Sequence, residues 1–254
     1  MSYLRNGEQI LKSLGLDVRR GLQTLKKKRR LRKDSQVFQS LGGSIEQVLA
    51  VYEDGGENAG VSTGHYFHQD LLVAQYIFES NPKRHVDIGS RIDGFVAHVA
   101  SYRRIEVIDI RPLESTNHAN LIFIQKDLMS DETLLKSDSV SCLHAIEHFG
   151  LGRYGDELSP DGHQRGLINI LRMLEPQGTL YISFPIGRMN TTVFNAHRIF
   201  HPTDILNWPG VKENLQLISF DYVDDLGNLN RNHNLVDSVP ELKYGCGIYR
   251  FIKK

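Results

Sequence analysis

The sequence is poor in cysteine and tryptophan and has no long apolar run. Of its 254 residues, two are cysteines, Cys142 and Cys246, and one is tryptophan. The cysteines stand in no pair spacing, and Cys142 lies in an apolar stretch. Both are therefore expected as buried free thiols of a protein in a reducing cytoplasm. No apolar run approaches the roughly 18 residues that cross a bilayer, so no transmembrane helix is expected. The opening residues MSYLRNGEQILKSLG lack the apolar core and small-residue cleavage site of a secretory signal. Internal repeats are absent. Net charge is also missing, with 30 basic against 30 acidic residues, but the balance hides an asymmetry. Residues 1–33 hold 11 Lys and Arg against 2 acidic residues, a net +9, and the remainder is net −9.

The basic arm, residues 1–40, is expected to be partly helical. Leu11, Leu14, Val18, Leu22 and Leu25 recur at helical spacing, although Gly15 and Gly21 oppose the helix. Such a segment can lie on an anionic membrane surface, each basic side chain contributing on the order of 1 kcal/mol at low salt. That would bring a cytoplasmic protein to the inner face of the cell membrane. Charge alone would also suit a nucleic acid, but no aromatic or motif context supports one, and none is expected as a partner. Residues 41–84 read as a Gly-rich linker followed by a cap helix from Tyr66 to Phe78.

From residue 85 to 254 strand and helix signals alternate. HVDIG, IEVIDI, LIFIQKDL, SVSCLHAI and GTLYISFPIG are apolar strands, with helices at GFVAHVASYR and GHQRGLINILRMLEP. Two further strands, 215–225 and 246–254, have no evident helix between them. The pattern predicts an α/β, Rossmann-like domain: a mostly parallel, seven-stranded sheet, antiparallel at one edge, with helices on both faces. Ligands of such sheets lie beyond the carboxyl ends of the strands. The first strand ends at Asp87-Ile88-Gly89 and the second at Asp109, where an acid typically takes a ribose diol. The cofactor is then a dinucleotide or S-adenosylmethionine. The dinucleotide fingerprint G-x-G-x-x-G fails, because Gly89 is followed only by Gly94.

The D-x-G start instead resembles motif I of the class I S-adenosylmethionine-dependent methyltransferases. The resemblance runs over about residues 82–254, and LEPQGTLYIS is similar to that family's post-motif strand. It implies a cofactor site of Asp87, Gly89, Ser90, Asp109, Ile110, Asp127, Leu128 and His144. The departure is at the loop, where Arg91 and Asp93 stand in a region the family fills with glycine. The blocks GHYFHQDL, HVDIGSRIDGFVAHV and IEHFGLGRYGD look like a small bacterial family, mainly of unknown function, encoded among surface-polysaccharide genes. That resemblance implies a sugar or glycan acceptor, hence O-methylation in polysaccharide biosynthesis. Alternatives are a non-catalytic scaffold that keeps the fold, or a dinucleotide-dependent nucleotide-sugar enzyme, which also lacks a Tyr-x-x-x-Lys pair.

HAIEH matches the H-x-x-E-H pattern of inverted zinc proteases, but it follows a strand directly, which that chemistry does not allow. His148, Glu147 and His144 are instead candidate catalytic residues, an imidazole serving as base near neutral pH with Glu147 to orient it. If residues 144–148 form a helical turn, those three share a face. With His201 or His197 they would form a divalent metal site, better suited to Mn²⁺, Fe²⁺ or Zn²⁺ than to Mg²⁺. Arg153, Tyr154 and Asp156 are candidates for sugar or phosphate contacts, and His65, His68 and Gln69 for lining the cofactor pocket. Deleting residues 1–33 is expected to abolish binding to anionic vesicles in a flotation assay, and unchanged binding would rule out the arm as the anchor.

Overall fold

In the computed structural model, residues 18–51, 59–130, 136–235 and 237–254 are described. The chain divides into two units, Met1–Val61 and Ser62–Lys254. In the first, helix α1 spans Val18–Ser40 and passes through Gly21. Its described side chains are mostly exposed, with Leu25, Val37 and Phe38 open to solvent. Leu11 and Leu14 lie outside the described residues, and so do the side chains of Val18 and Leu22. No described helix is long and apolar enough to cross a membrane.

The second unit starts upstream of the expected boundary at 85, because the cap helix is part of its core. This helix, α2, spans His65–Ser80 and ends on Asn81 in the left-handed conformation. Its buried Leu72, Val73, Tyr76 and Ile77 pack with Phe95, Val96 and Val99 against one face of the sheet. The strands of that sheet are β1 (His85–Ile88), β2 (Ile105–Asp109), β3 (Leu121–Gln125), β4 (Ser137–Leu143), β5 (Leu174–Ile186), β8 (Leu215–Val223), β9 (Leu229–Asn230) and β10 (Gly245–Lys253). A separate hairpin pairs β6 (Thr191–Val193) with β7 (His197–Ile199).

The strand order is β3-β2-β1-β4-β5-β10-β8-β9. The first five are mutually parallel, and β10 runs antiparallel between β5 and β8. The sheet has eight strands rather than seven because β8 folds back into the two-residue β9. Alternation along the strands feeds both faces. In β5, Leu180, Ile182, Phe184 and Ile186 enter one core and Tyr181 the other. Opposite α2, helix α4 (Gly162–Met173) seals the second face with Leu167, Ile170 and Leu171. Between β1 and β2 the chain makes a π-helical turn, Ile92–Val96, that runs into the short helix α3, Ala97–Ala100.

Two polar groups lie inside β1. The His85 ring is held between the Ser139 Oγ at 2.8 Å and the Ser141 Oγ at 3.1 Å. The Asp87 carboxylate accepts from Ser90 Oγ at 2.6 Å, Ser141 Oγ at 2.6 Å and the Ser90 backbone N–H at 3.1 Å. Burial pushes the Asp87 pKa up to about 6, against the opposing pull of those hydrogen bonds. Asp87 therefore ties the β1 turn to β4. Asp87→Ala leaves buried donors unpaired and is expected to destabilise the fold by about 2–4 kcal/mol in urea unfolding. A carboxyl with a raised folded pKa stabilises most below its unfolded pKa, and that contribution is lost as pH rises through the folded value. The gap between wild type and Asp87→Ala should therefore narrow between pH 4 and 7.

Candidate functional site

A cleft opens at the carboxyl ends of β1, β2, β3 and β4. The chain turns sharply at Gly89, whose φ is +67° and where a Cβ would come within 2.9 Å of the Ala145 Cβ. Only glycine gives that turn and that floor. Ile108, Asp109, Ile110 and Arg111 form one wall and Asp127, Leu128 and Met129 another. Asp109 accepts from the Arg111 guanidinium at 2.6 and 3.0 Å, and Arg111 stacks on the Tyr154 ring at 4.4 Å. The Asp127 wall is fixed from behind: Asn169 of α4 donates to the carbonyls of Leu128 and Ser130 at 2.7 and 2.9 Å.

The third wall is the corner after β4. His144 has a φ of +49°, and Ile146–His148 forms one 3₁₀ turn. Glu147 is buried, and its Oε1 lies 2.8 Å from His144 Nδ1 and 3.8 Å from His148 Nε2. His148 Nδ1 lies 2.7 Å from the Ala196 carbonyl and donates to it, which leaves Nε2 with the lone pair. Burial lowers the His148 pKa, although Glu147 and the Ala196 carbonyl act the other way. For His144, burial works against the charged form, but the Cys246 sulfur and Glu147 outweigh it and hold the pKa well above the ordinary value. The two histidines are thus shifted in opposite directions, His148 toward the neutral form and His144 toward the charged one.

Of the residues proposed to hold a cofactor, the structure brings Gly89, Asp109, Ile110, Asp127, Leu128 and His144 to the cleft. Asp87 and Ser90 are not on its walls. They are buried beneath it, bonded to each other and to Ser141. Arg91 and Asp93 pair at 3.0 Å on the surface, and Arg91 lies over the Tyr66 ring, so the departure from the glycine pattern points away from the cleft. His201 does not join the His144–Glu147–His148 group. Its ring nitrogen Nδ1 lies 2.9 Å from the Thr203 hydroxyl, and its backbone N–H donates to Asn190. The chain returns from the β6–β7 hairpin to the end of β5, where Phe200 bridges Ile186, and His201 turns there toward Thr203. His197 lies 5.6 Å from the Tyr244 ring instead.

Asp156 lines the cleft but is used by its own loop, accepting from the N–H groups of Gly150, Gly152 and Tyr154. Arg153 donates to the Ala196 carbonyl at 2.9 Å, and Tyr154 alone of these three presents a ring to the cleft between two guanidinium groups. Upstream, His65 stacks on His144 with ring centroids 5.3 Å apart. Gln69 is buried and accepts from Ser183 Oγ at 2.5 Å, and His68 packs edge-on against Phe67. The sequence gives little sign of Arg198, within FNAHRIFHP. Its guanidinium is buried and donates to the carbonyls of Phe149, Ser159 and Pro160 at 2.6, 3.2 and 3.2 Å. Only its place beside a His-rich loop hinted at a role.

The strand order and the cleft define the Rossmann-like fold of class I methyltransferases. Residues 123–238 match a family model described as "Caenorhabditis protein of unknown function, DUF268". No curated protein matches the sequence. Among solved structures, the N-methyltransferase NodS of Bradyrhizobium japonicum, in complex with S-adenosylhomocysteine, is similar over 75% of this chain and 88% of its own, at 13% identity and a TM-score of 0.51. The 1,6-didemethyltoxoflavin-N1-methyltransferase of Burkholderia thailandensis, also with S-adenosylhomocysteine bound, covers 73% of this chain and 78% of its own at 14% identity and 0.51. The [4+2]-cyclase SpnF covers 78% and 90% at 14% identity and 0.52.

Arg198 pins residues 147–160 by donating to main-chain carbonyls, and a shorter cation cannot span them. Arg198→Lys is expected to cost about 2–4 kcal/mol in unfolding free energy. Amide hydrogen exchange across 147–160 should rise with it, and unchanged protection there would show that the loop stands without the guanidinium.

Proposed function

We propose that the unit Ser62–Lys254 is an S-adenosylmethionine-dependent methyltransferase acting on a hydroxyl of a sugar or glycan intermediate. The observation that carries the cofactor reading is the cleft that joins Gly89 with Asp109 and Asp127 at adjacent strand ends. A group with an adenine, a ribose diol and a zwitterionic tail fits that set. The glycine floor admits close approach to the backbone, and the Asp109 carboxylate can exchange its Arg111 partner for a diol. The solved neighbours with S-adenosylhomocysteine bound support the same reading. When bound, the sulfonium supplies an electrophilic methyl and a good leaving group, so the protein has mainly to position the acceptor and remove a proton.

His148 has the geometry for the proton. The Ala196 carbonyl fixes its tautomer, and its Nε2 lone pair stays available on the cleft wall. A neutral imidazole beside a buried carboxylate suits a hydroxyl acceptor, because the Glu147 charge stabilises the imidazolium that forms. His144, bonded to Glu147 through Nδ1, orients that carboxylate rather than serving as the base. The Tyr154 ring, with Arg111 and Arg153 against it, offers an aromatic surface and positive charge for a sugar or sugar phosphate. The glycan class rests otherwise on the resemblance of GHYFHQDL and IEHFGLGRYGD to proteins of polysaccharide gene clusters, and membrane attachment through the arm would place the site near lipid-linked intermediates.

Calorimetric titration of the full chain with S-adenosylhomocysteine should give micromolar binding, weakened at least 10-fold in Asp109→Ala. A folded protein that binds neither S-adenosylmethionine nor its product would overturn the reading in favour of a scaffold. With an acceptor found by screening sugars and sugar phosphates, His148→Ala should lower the rate about 10²–10⁴-fold and leave cofactor binding intact. The depressed His148 pKa sets the sign of the pH dependence. The base is free above its pKa, so kcat/KM should be flat near pH 7 and fall on the acid side, with a midpoint below 6.5.

A further inference from the structure

Three side chains far apart in the sequence meet behind the corner after β4. His65 comes from the first turn of α2, His144 from the end of β4 and Cys246 from β10. One ligand atom from each lies within 4.8 Å of the others, and no other such trio of His, Cys, Asp or Glu occurs among the described residues. The Cys246 thiol is fully buried and free, 3.7 Å from Gln69 Oε1. The His144 side chain is 5% exposed, with Nδ1 bonded to Glu147. Its other nitrogen, Nε2, is buried and makes no hydrogen bond of good geometry, the Cys246 sulfur being the polar group that acts on it.

Buried polar atoms in native folds almost always have partners, so an orphaned imidazole nitrogen beside a second imidazole and a thiol calls for a ligand. The arrangement behind it is informative too. Histidines that bind metals commonly donate the opposite ring N–H to a carboxylate, which fixes the tautomer and makes the ligating nitrogen more basic. Glu147 stands in that relation to His144. We propose that His65, His144 and Cys246 form a divalent transition-metal site, with Zn²⁺ the ion best matched to two imidazoles and a thiolate, and with Glu147 as the supporting carboxylate.

The donor types set the selectivity. Two nitrogens and one sulfur suit Zn²⁺ or Co²⁺ and are poor ligands for Mg²⁺ or Ca²⁺, which take oxygen. Three protein ligands leave a fourth tetrahedral position open, as in sites where a metal binds water or substrate. His144 also lines the cleft, so an ion here would stand at its inner end. There it could coordinate an acceptor oxygen or sulfur and lower its pKa. The ligand set differs from the one expected from sequence, because Glu147 bonds the opposite nitrogen of His144, His148 stays on the cleft wall and His201 is held elsewhere.

Binding requires a small rearrangement. Tetrahedral Zn²⁺ holds nitrogen and sulfur ligands about 3.3–3.7 Å apart. The trio must therefore contract by up to about 1 Å, and the His65 ring, now 9° from parallel with that of His144, must turn its nitrogen toward the ion. His65 is half-buried at the start of its helix, stacked between the His144 and Tyr244 rings, so the rotation must also displace its stack on Tyr244.

This proposal does not rest on the methyl-transfer reading, since metal binding is measured without cofactor or acceptor. The full chain, stripped with chelator, is dialysed against Zn²⁺ alone and assayed for metal content, and Co²⁺ is then used as a spectroscopic probe. One ion per chain is expected, with a sulfur-to-cobalt charge-transfer band. His65→Ala and Cys246→Ser should each weaken binding at least about 10-fold and Glu147→Gln about 10–100-fold, while Cys142→Ala, in the opposite core, should leave it unchanged. Cys246→Ser should also abolish the charge-transfer band. Should the buried Cys246→Ser fail to fold, the half-buried His65→Ala and the wild-type cobalt spectrum carry the test. Absence of micromolar Zn²⁺ binding by folded wild type, a cobalt spectrum with no sulfur band, or binding undiminished in His65→Ala would overturn the assignment.

Discussion

The candidate site is organised around one buried carboxylate. Glu147 lies almost wholly out of solvent in a single 3₁₀ turn, with His144 on one side and His148 on the other. A carboxylate there is costly unless it is met by charge and hydrogen bonds. His144 supplies both to Oε1, at 2.8 Å, while Oε2 is buried without a hydrogen-bond partner. That bond then decides what each neighbour can do. It takes Nδ1 of His144, so only Nε2 faces the His65–Cys246 side. It also gives His148 an anionic neighbour at the moment that ring would accept a proton. The left-handed backbone of His144 is the local conformation that folds the ring back over Glu147.

The scaffold around this turn is built to hold it. β4 is central, flanked by β1 and β5, so the corner emerges from the stiffest part of the sheet. Asp87 and Ser141 lock β1 to β4 from below, and Gly89 lets the β1 turn come against Ala145. Arg198 reaches from β7 to the carbonyls on either side of the loop that follows the corner. Each support crosses between segments remote in sequence, so the geometry of the turn is a property of the whole unit rather than of the pentapeptide HAIEH.

That distinction separates what could be read from the sequence from what could not. The parallel sheet was legible because apolar runs alternate with helical periods. The cleft was legible because the acids Asp109 and Asp127 mark strand ends, whose position in this architecture is dictated by topology. Local patterns failed where chain path, rather than spacing, decides proximity. His201 follows β5 in sequence and returns to its end after the β6–β7 hairpin, yet its ring is taken by Thr203. His65 and Cys246 are nearly the length of the unit apart and become neighbours of His144 only because α2 packs on the sheet and β10 inserts beside β5. Asp87 and Arg91 show the same limit. A motif fixes their position in the chain, but whether a side chain points into the cleft depends on β1 having both faces buried, which turns Asp87 inward, and on Asp93 pairing with Arg91 outside.

The central claim is that this cleft holds S-adenosylmethionine over the His148–Glu147 pair. The most direct measurement is a crystal structure of the full chain grown with saturating S-adenosylhomocysteine. The account predicts the ribose hydroxyls on Asp109, the adenine against Ile110 and Leu128, and the sulfur toward His144, with the Arg91–Asp93 pair unmoved at the surface. Density for the nucleoside elsewhere on the protein, or an empty cleft under those conditions, would contradict it.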